Sequence, residues 1–405
     1  MNAFKKFLNS SIAVLAINIL LAVFIHYVLV CDYQISILLM VVFTVGVLIL
    51  DRFGVVNAVF DAYINHKGAA IASGIPLLIL IPISLTNQNY IAHIGCLATC
   101  YAIGCLGLNY QMGSIRMTNF APAAFMGFGA YSVGVATMRF GASPWIGMLF
   151  GVLLAGLFGL IVALITMNTK GYYLSLITTA VQISFTQIVN TIGFLGGADG
   201  LNKITRYAIG GLQLYKKYTE FGIKFAAQVP YMLLCLLFLV LVTYVSMRVG
   251  FAKYGLSLNT IAKDDIAAQC FGIDHKKGRI FAFCIGGLIM GLAGSLLVGL
   301  EGYVGPDSYN FNKSIMLLCM VILGGLDNPV GVICGAFLLT IMSEKLRDFS
   351  DYQQLMYGIV MVLILIVRPN GIIPKRIRNY CGSCKRTLQR APKAADVPEA
   401  FEAQA

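Results

Sequence analysis

Residues 143–167 read SPWIGMLFGVLLAGLFGLIVALITM, a stretch without a single Asp, Glu, Lys or Arg. About 20 apolar residues at 1.5 Å rise cross the hydrocarbon core of a bilayer, so this run predicts a transmembrane helix. Its small residues Gly147, Gly151, Ala155, Gly159 and Ala163 recur every fourth position, placing them on one helix face. Such a stripe lets a second backbone come close and drives helix association in lipid. Gly287, Gly291 and Ser295 repeat the pattern in 279–300. Both stripes are read as helix packing, because glycine offers no side chain with which to recognise a solute.

Working outward, apolar runs also occupy 11–30, 34–50, 69–85, 91–112, 120–138, 172–192, 230–247, 279–300, 313–325, 328–342 and 355–368. The fold class is therefore all-α, a polytopic transmembrane helical bundle of about 10–12 spans. Runs 313–325 and 328–342 are short and joined by Gly324-Gly325-Leu326-Asp327-Asn328-Pro329. They predict broken helices or a re-entrant hairpin, which a membrane tolerates only where protein or a water-filled cavity satisfies the backbone. Composition agrees: 59% of residues are hydrophobic and 11% charged, against about 25% charged in a soluble domain. Three regions are expected: N-terminal transmembrane segments at 1–90, a core at 91–375 with a long loop at 248–278, and a disordered cytoplasmic tail at 376–405.

The net charge is +12, but Lys and Arg sit in short loops and the tail rather than on one basic face. That pattern points to membrane lipid and orientation, not nucleic acid. Lys5 and Lys6 precede the first run, which continues into further spans and reads as a retained helix. Counting basic loops then puts both termini in the cytoplasm. Cys100, Cys235, Cys284, Cys319 and Cys334 lie in apolar runs, where a thiol acts as a small hydrophobe. Cys381 and Cys384 form a lone CxxC in the tail, without a second pair or a nearby His.

Absences restrict the chemistry. There is no GxxxxGK[ST] phosphate loop, and His26, His66, His93 and His275 have no metal-ligand spacing. No metal site, cofactor or catalytic residue is expected, and the chain is not read as an enzyme. Ion-coupled carriers keep ionisable groups at mid-membrane; here Glu301 and Asp327 fall at segment ends. Energy for uphill transport must come from elsewhere.

Two segments carry candidate function. In 172–192, Ser175, Thr179, Gln182, Thr186 and Asn190 share a helix face in an otherwise apolar run. This stripe is either interhelical hydrogen-bond glue, at about 0.6 kcal/mol per bond, or the wall of a path for a polar solute. In 248–278, Ala262, Ile266, Cys270 and Ile273 fit one face of a short amphipathic helix, with Lys263, Asp264, Asp265 and Gln269 directed away. Such a helix lies either on the headgroups or in a partner's groove.

The segment Asn259-Thr260-Ile261-Ala262-Lys263-Asp264-Asp265-Ile266-Ala267-Ala268-Gln269-Cys270-Phe271-Gly272-Ile273 resembles the cytoplasmic loop RAIxx[DN]EIAAxxxGI of LivM-type permeases. Further pieces follow in that family's order. Leu106-Gly107-Leu108-Asn109, Ala123-Ala124-Phe125-Met126-Gly127-Phe128-Gly129-Ala130-Tyr131 and Gly171-Tyr172-Tyr173 come first. Gly196-Gly197-Ala198-Asp199-Gly200-Leu201, Gly305-Pro306-Asp307-Ser308, Leu323-Gly324-Gly325 and Arg368-Pro369-Asn370-Gly371 complete the set. Ala121-Pro122 stands where the family has Gly-His, and Asp265 where its loop has Glu.

The resemblance implies the permease subunit of an ATP-binding-cassette importer for branched-chain or related amino acids. Its implied partners are a second permease subunit, two cytosolic ATPase subunits and an extracytoplasmic solute-binding protein. It also implies an ATPase coupling role for Ile261, Asp264, Asp265, Ile266, Ala267, Ala268 and Gly272. The rival reading is an ATP-independent channel or facilitator for a small polar solute such as urea or an amide.

Overall fold

A computed structural model describes residues 89–345, except 168, 170–171, 210–211, 214–217, 221–222 and 226–227, together with isolated positions in 15–46 and 355–366 and residues 371–372. The expected spans 11–30, 34–50, 69–85 and 355–368 fall largely or wholly outside the described residues, as do the tail and its Cys381 and Cys384.

The described core is a helical bundle. Its helices are α1 (Asn89–Asn109), α2 (Pro122–Met138), α3 (Pro144–Thr166), α4 (Tyr172–Thr191), α5 (Val229–Phe251), α6 (Lys253–Lys263), α7 (Asp265–Cys270), α8 (His275–Glu301), α9 (Phe311–Gly324) and α10 (Pro329–Lys345). Among the described residues, α1 with its extension to Ser114, α3, α5 and α8 are long and apolar enough to cross a membrane. Helix α1 is the axis: nearly every residue from Ile91 to Asn109 is buried, and α8, α10, α5 and α9 pack around it. It runs into a π-helical turn, Tyr110–Ser114.

Helices α3 and α8 make an extensive crossing, through their small residues. A Cβ added at Gly287 would come 2.6 Å from the Ala155 carbonyl oxygen, and one at Gly291 2.5 Å from the Ala155 Cβ. Gly159 lies against the Phe283 carbonyl, and Gly151 against Gly129 of α2. Gly147 continues the face against the Val133 backbone. The opposite face of α3, with Leu149, Leu153, Leu157 and Leu164, is exposed, as expected of a surface whose solvent is lipid.

Helices α9 and α10 form an antiparallel hairpin, with Gly324 against Gly331 and Gly335 against Met320. At 14 residues, α9 is about 21 Å long, short of the ~30 Å hydrocarbon core. The turn between them holds Asp327 in the left-handed region, φ 62°. Asp327 is buried, its N–H donates to Asn109 Oδ1 at 2.8 Å, and its Oδ1 accepts from the Ser114 hydroxyl at 2.7 Å. The Ile372 N–H reaches the Leu323 carbonyl at 2.9 Å. Three sequence pieces far apart in the chain, ending at Asn109, Gly325 and Gly371, thus meet at one end of the bundle.

At the other end, residues 201–208 of the connection between α4 and α5 pack on the helices. Short strand β1 (Leu201–Asn202) pairs antiparallel with β6 (Tyr303–Val304); β2 (Ala208–Ile209) with β3 (Leu212–Gln213) and β4 (Tyr218–Glu220) with β5 (Ile223–Phe225) are small hairpins. Tyr207 is buried and donates to the Ser295 carbonyl at 3.0 Å, while Trp145 Nε1 donates to the Ala208 carbonyl at 2.8 Å.

Candidate functional site

Two places in this bundle combine polar chemistry with unusual backbone. One is inside it, where α2 and α9 both begin against the middle of α4.

A helix start leaves N–H groups without intrahelical partners, and in lipid these must be met by protein. For α2 they are met from other helices. The Ala123 N–H donates to Ser314 Oγ at 3.1 Å and the Ala124 N–H to Gln182 Oε1 at 2.8 Å. Just before the helix, the Phe120 N–H donates to Thr178 Oγ1 at 3.1 Å and the Ala121 N–H to Asn119 Oδ1 at 2.8 Å. Gln182 is fully buried and at the centre: its oxygen also accepts from the Ser314 hydroxyl at 2.9 Å, and its nitrogen donates to the Tyr309 carbonyl at 2.8 Å. Helix α9 starts beside it, with Asn310 Oδ1 accepting from the Lys313 N–H at 3.1 Å. Lys313 Nζ donates to the Tyr101 hydroxyl at 2.5 Å, near the middle of the α1 span. A cation in the first turn of α9 therefore reaches well into the bundle, beyond the sparse segment-end charges expected from sequence.

The five residues of the α4 stripe are not equivalent. Gln182 joins three elements, whereas Thr179 bonds only the Ser175 carbonyl of its own helix at 2.9 Å. Ser175 pairs with the Thr118 hydroxyl at 2.5 Å, and Thr186 bonds the Gln182 carbonyl at 3.2 Å and lies 3.5 Å from that of Tyr309. Asn190 is half-buried. The packed face of α4 is Leu174, Thr178, Gln182, Phe185 and Val189, which shares Gln182 with the stripe and otherwise lies one position round from it. Sequence reasoning missed Thr178, a β-branched residue indistinguishable by spacing from its neighbour Thr179. Much of the remaining α4 surface is exposed, including Tyr172, Tyr173, Leu176, Ile183 and Ile188.

The second place is the 252–274 connection between α5 and α8. The single amphipathic helix expected there is two helices, α6 and α7. Asp264 breaks the run: its backbone is extended, φ −156° and ψ 112°, and its Oδ1 caps α7 by accepting from the Ile266 and Ala267 N–H groups at 2.8 and 3.1 Å. Aspartate is a favoured N-cap for this reason. The break rotates the expected face. Ile266 is 69% and Phe271 81% exposed, while Ala268 and Ile261 are buried. Asp265, expected to point away, faces inward and pairs with Arg279 at 2.8 Å. Ala267 is half-buried and Cys270 exposed. Gly272 ends the segment at φ +76° with open space around it, the left-handed stop that favours glycine.

The segment is fastened to the start of α8. Tyr254 stacks on Phe281 with ring centroids 5.0 Å apart, and the Ile261 side chain fills the space over Gly278. Asp274 caps α8 by accepting from the Lys276 N–H at 3.0 Å. Desolvation pulls the Asp274 pKa upward, but the Lys277 and Lys276 N–H groups and the Lys277 charge outweigh it, so the carboxyl titrates below the ordinary aspartate range. A cavity of about 270 Å³ separates α6 and α7 from the loops at 115–118 and 169, lined by Arg116, Thr118, Thr169, Lys263, Asp265 and Arg279 among others.

Known proteins resemble this chain over most of its length. The chain is 29% identical over 294 residues to the high-affinity branched-chain amino acid transport system permease protein LivM of Escherichia coli K12, covering 69% of each chain. To the LivM protein of Salmonella typhimurium LT2 it is 26% identical, over 82% of this chain and 84% of that one. The ribose import permease protein RbsC of Haemophilus influenzae is more distant, at 23% over 72% of this chain and 84% of its own. No solved structure matches. Residues 90–367, well over half of the sequence, match the family described as the permease component of branched-chain amino acid transport systems, and the chain belongs to that family.

Proposed function

We propose that this multi-pass membrane permease is the translocating subunit of an ATP-binding-cassette importer for branched-chain or related amino acids. The exposed pair Ile266 and Phe271, on a segment pinned to α8 rather than loose, is the observation that carries the reading. Apolar residues displayed on a connection between spans fit a partner's groove, and the exposed Asp264 beside them suits anionic headgroups poorly. Two cytosolic ATPase subunits dock on 261–273, hydrolyse the ATP for which this chain has no phosphate loop, and drive α8 through its first turns.

The solute path runs along α4, past the half-buried Ser175, Thr179, Thr186 and Asn190, with the buried Gln182 holding the wall behind them. A second permease subunit covers the open surface of α4, and an extracytoplasmic binding protein delivers solute over the 193–228 connection. The chain lies in the cell (inner) membrane with both termini in the cytoplasm.

The deciding experiment is uptake of labelled leucine into proteoliposomes holding this chain with its co-purified partners. Accumulation against a gradient that needs hydrolysable ATP supports the importer. Equilibration of leucine, urea or a short amide without ATP would establish the facilitator instead.

A further inference from the structure

Arg279 lies in the second turn of α8 and is only 5% exposed. Its guanidinium faces two ways. One terminal nitrogen donates to Asp265 Oδ2 at 2.8 Å, and the other donates to the carbonyls of Met167 and Thr169 at 2.8 and 3.0 Å. The first contact holds α7, in the docking segment. The second holds the chain just past α3: Met167 is its C-cap, where the carbonyl has no intrahelical N–H to accept from and carries the negative end of the helix dipole, and Thr169 lies in the connection beyond. Between these two attachments lies the 270 Å³ cavity, so α7 and the α3 end are not packed flush where Arg279 bridges them. The other ion pair nearby, Lys277 with Asp274 at 3.7 Å, spans one exposed turn and joins nothing distant.

We propose that Arg279 is a positioning residue for energy coupling: it clamps the docking segment to the inner end of α3, so that a push on α7 moves α3 and the α3–α4 connection together with α8. This rests on the reading of 261–273 as the ATPase contact. The planar fork of arginine is what permits simultaneous bonding to a carboxylate and to carbonyls in fixed directions. A lysine at the same place carries the charge but reaches one side at a time. Exchanging the pair, with Asp265→Arg and Arg279→Asp, puts a carboxylate beside the Met167 and Thr169 carbonyls, so the exchange does not restore the clamp.

Amide hydrogen exchange of the full chain in lipid discs tests the clamp without any partner. With Arg279→Met, exchange in 265–273 and around Met167 and Thr169 should rise about tenfold, the loss of a charge-assisted hydrogen bond, while the α3–α8 crossing stays protected. Arg279→Lys should loosen one of the two segments and spare the other. Exchange rising throughout the bundle, or unchanged in both segments, overturns the proposal. In proteoliposomes with the co-purified ATPase, Arg279→Met should raise the ATP hydrolysed per leucine accumulated at least about threefold, a ratio that lower abundance alone does not move. An unchanged ratio also overturns it. Should the wild-type chain show no ATP-dependent uptake, the importer reading fails, and the exchange measurement still decides whether the clamp exists.

Discussion

The side-chain oxygen of Gln182 stands 2.8 Å from the backbone nitrogen of Ala124, so α4 supplies from its middle the cap that the first turn of α2 lacks. Gln182→Leu removes three bonds together: the Ser314 hydroxyl loses its acceptor, at about 1–3 kcal/mol, while the Ala124 N–H keeps only the Ala121 carbonyl at 3.1 Å and the Tyr309 carbonyl only Thr186 at 3.5 Å. The expected outcome is a large fall in folded protein in the membrane. Thr179→Val removes only a bond to the Ser175 carbonyl of the same helix, worth about 0.5–1.5 kcal/mol, and should leave abundance near wild type. Uptake per folded molecule separates the roles. A loss with Thr179→Val places the stripe on the solute path, and wild-type uptake removes Thr179 from it.

The α3–α8 crossing makes a purely structural prediction. At Gly159, any Cβ meets the Phe283 carbonyl, which belongs to backbone and cannot swing aside. Gly159→Leu should separate the two helices at a cost of several kcal/mol, roughly the upper range for overpacking, and the protein should be degraded. Leu157→Phe, on the exposed face of the same helix, should be tolerated. The comparison is read from membrane-fraction abundance and thermal aggregation in detergent. Equal behaviour of the two variants would refute the close crossing.

What the sequence disclosed depended on whether a signal was carried by one segment or by several. The 143–167 run names its own helix because length and lack of charge suffice, and its Gly stripe names the packed face. Helix α1 gave its existence but not its central place, since a helix apolar all round has no periodicity to betray its surroundings. In α4 the polar spacing was plain, yet Thr178 and Thr179 differ only in which neighbour awaits them: the Phe120 N–H for the first, its own helix for the second. The 252–274 connection misled for a local reason. Ala262, Ile266 and Cys270 keep helical spacing straight through Asp264, and only the cap geometry shows that the helix stops and restarts there. Arg279 was invisible because its value lies in carbonyls some 110 residues earlier in the chain.

Orientation is open to a direct labelling test. Ser143, exposed before α3, is assigned to the outside, and Lys276, exposed in the first turn of α8, to the cytoplasm. In a background freed of native cysteines, Ser143→Cys should react with an impermeant maleimide in intact cells. Lys276→Cys should react only after the membrane is opened. The reverse result would invert the topology and move the docking segment away from any cytosolic ATPase.

The proposed docking role of 261–273 permits a sharper test than the sequence alone suggested, because the two faces of this segment are now distinct. Ile266 and Phe271 are exposed and touch little of the bundle, so Ile266→Asp and Phe271→Asp should leave insertion, abundance and pairing with a sister subunit unchanged. If these residues enter a groove on the ATPase, burying either new carboxylate without a partner costs several kcal/mol, and co-purification should fall by more than tenfold. Ala268 sits on the other face, fully buried. Ala268→Lys should therefore displace α7 from α8 and lose ATPase binding indirectly, with α7 amides exchanging faster even when no partner is present. Gly272→Val forces a β-branched residue into φ +76°, at about 1–2 kcal/mol or more, and should free the end of α7 without touching the bundle. The discriminating pair is Phe271→Asp against Ala268→Lys: the first should fail in ATPase co-purification with normal exchange, the second in both. Normal ATPase co-purification with Ile266→Asp and Phe271→Asp would exclude that face as the contact and direct the search to the cavity side of α6.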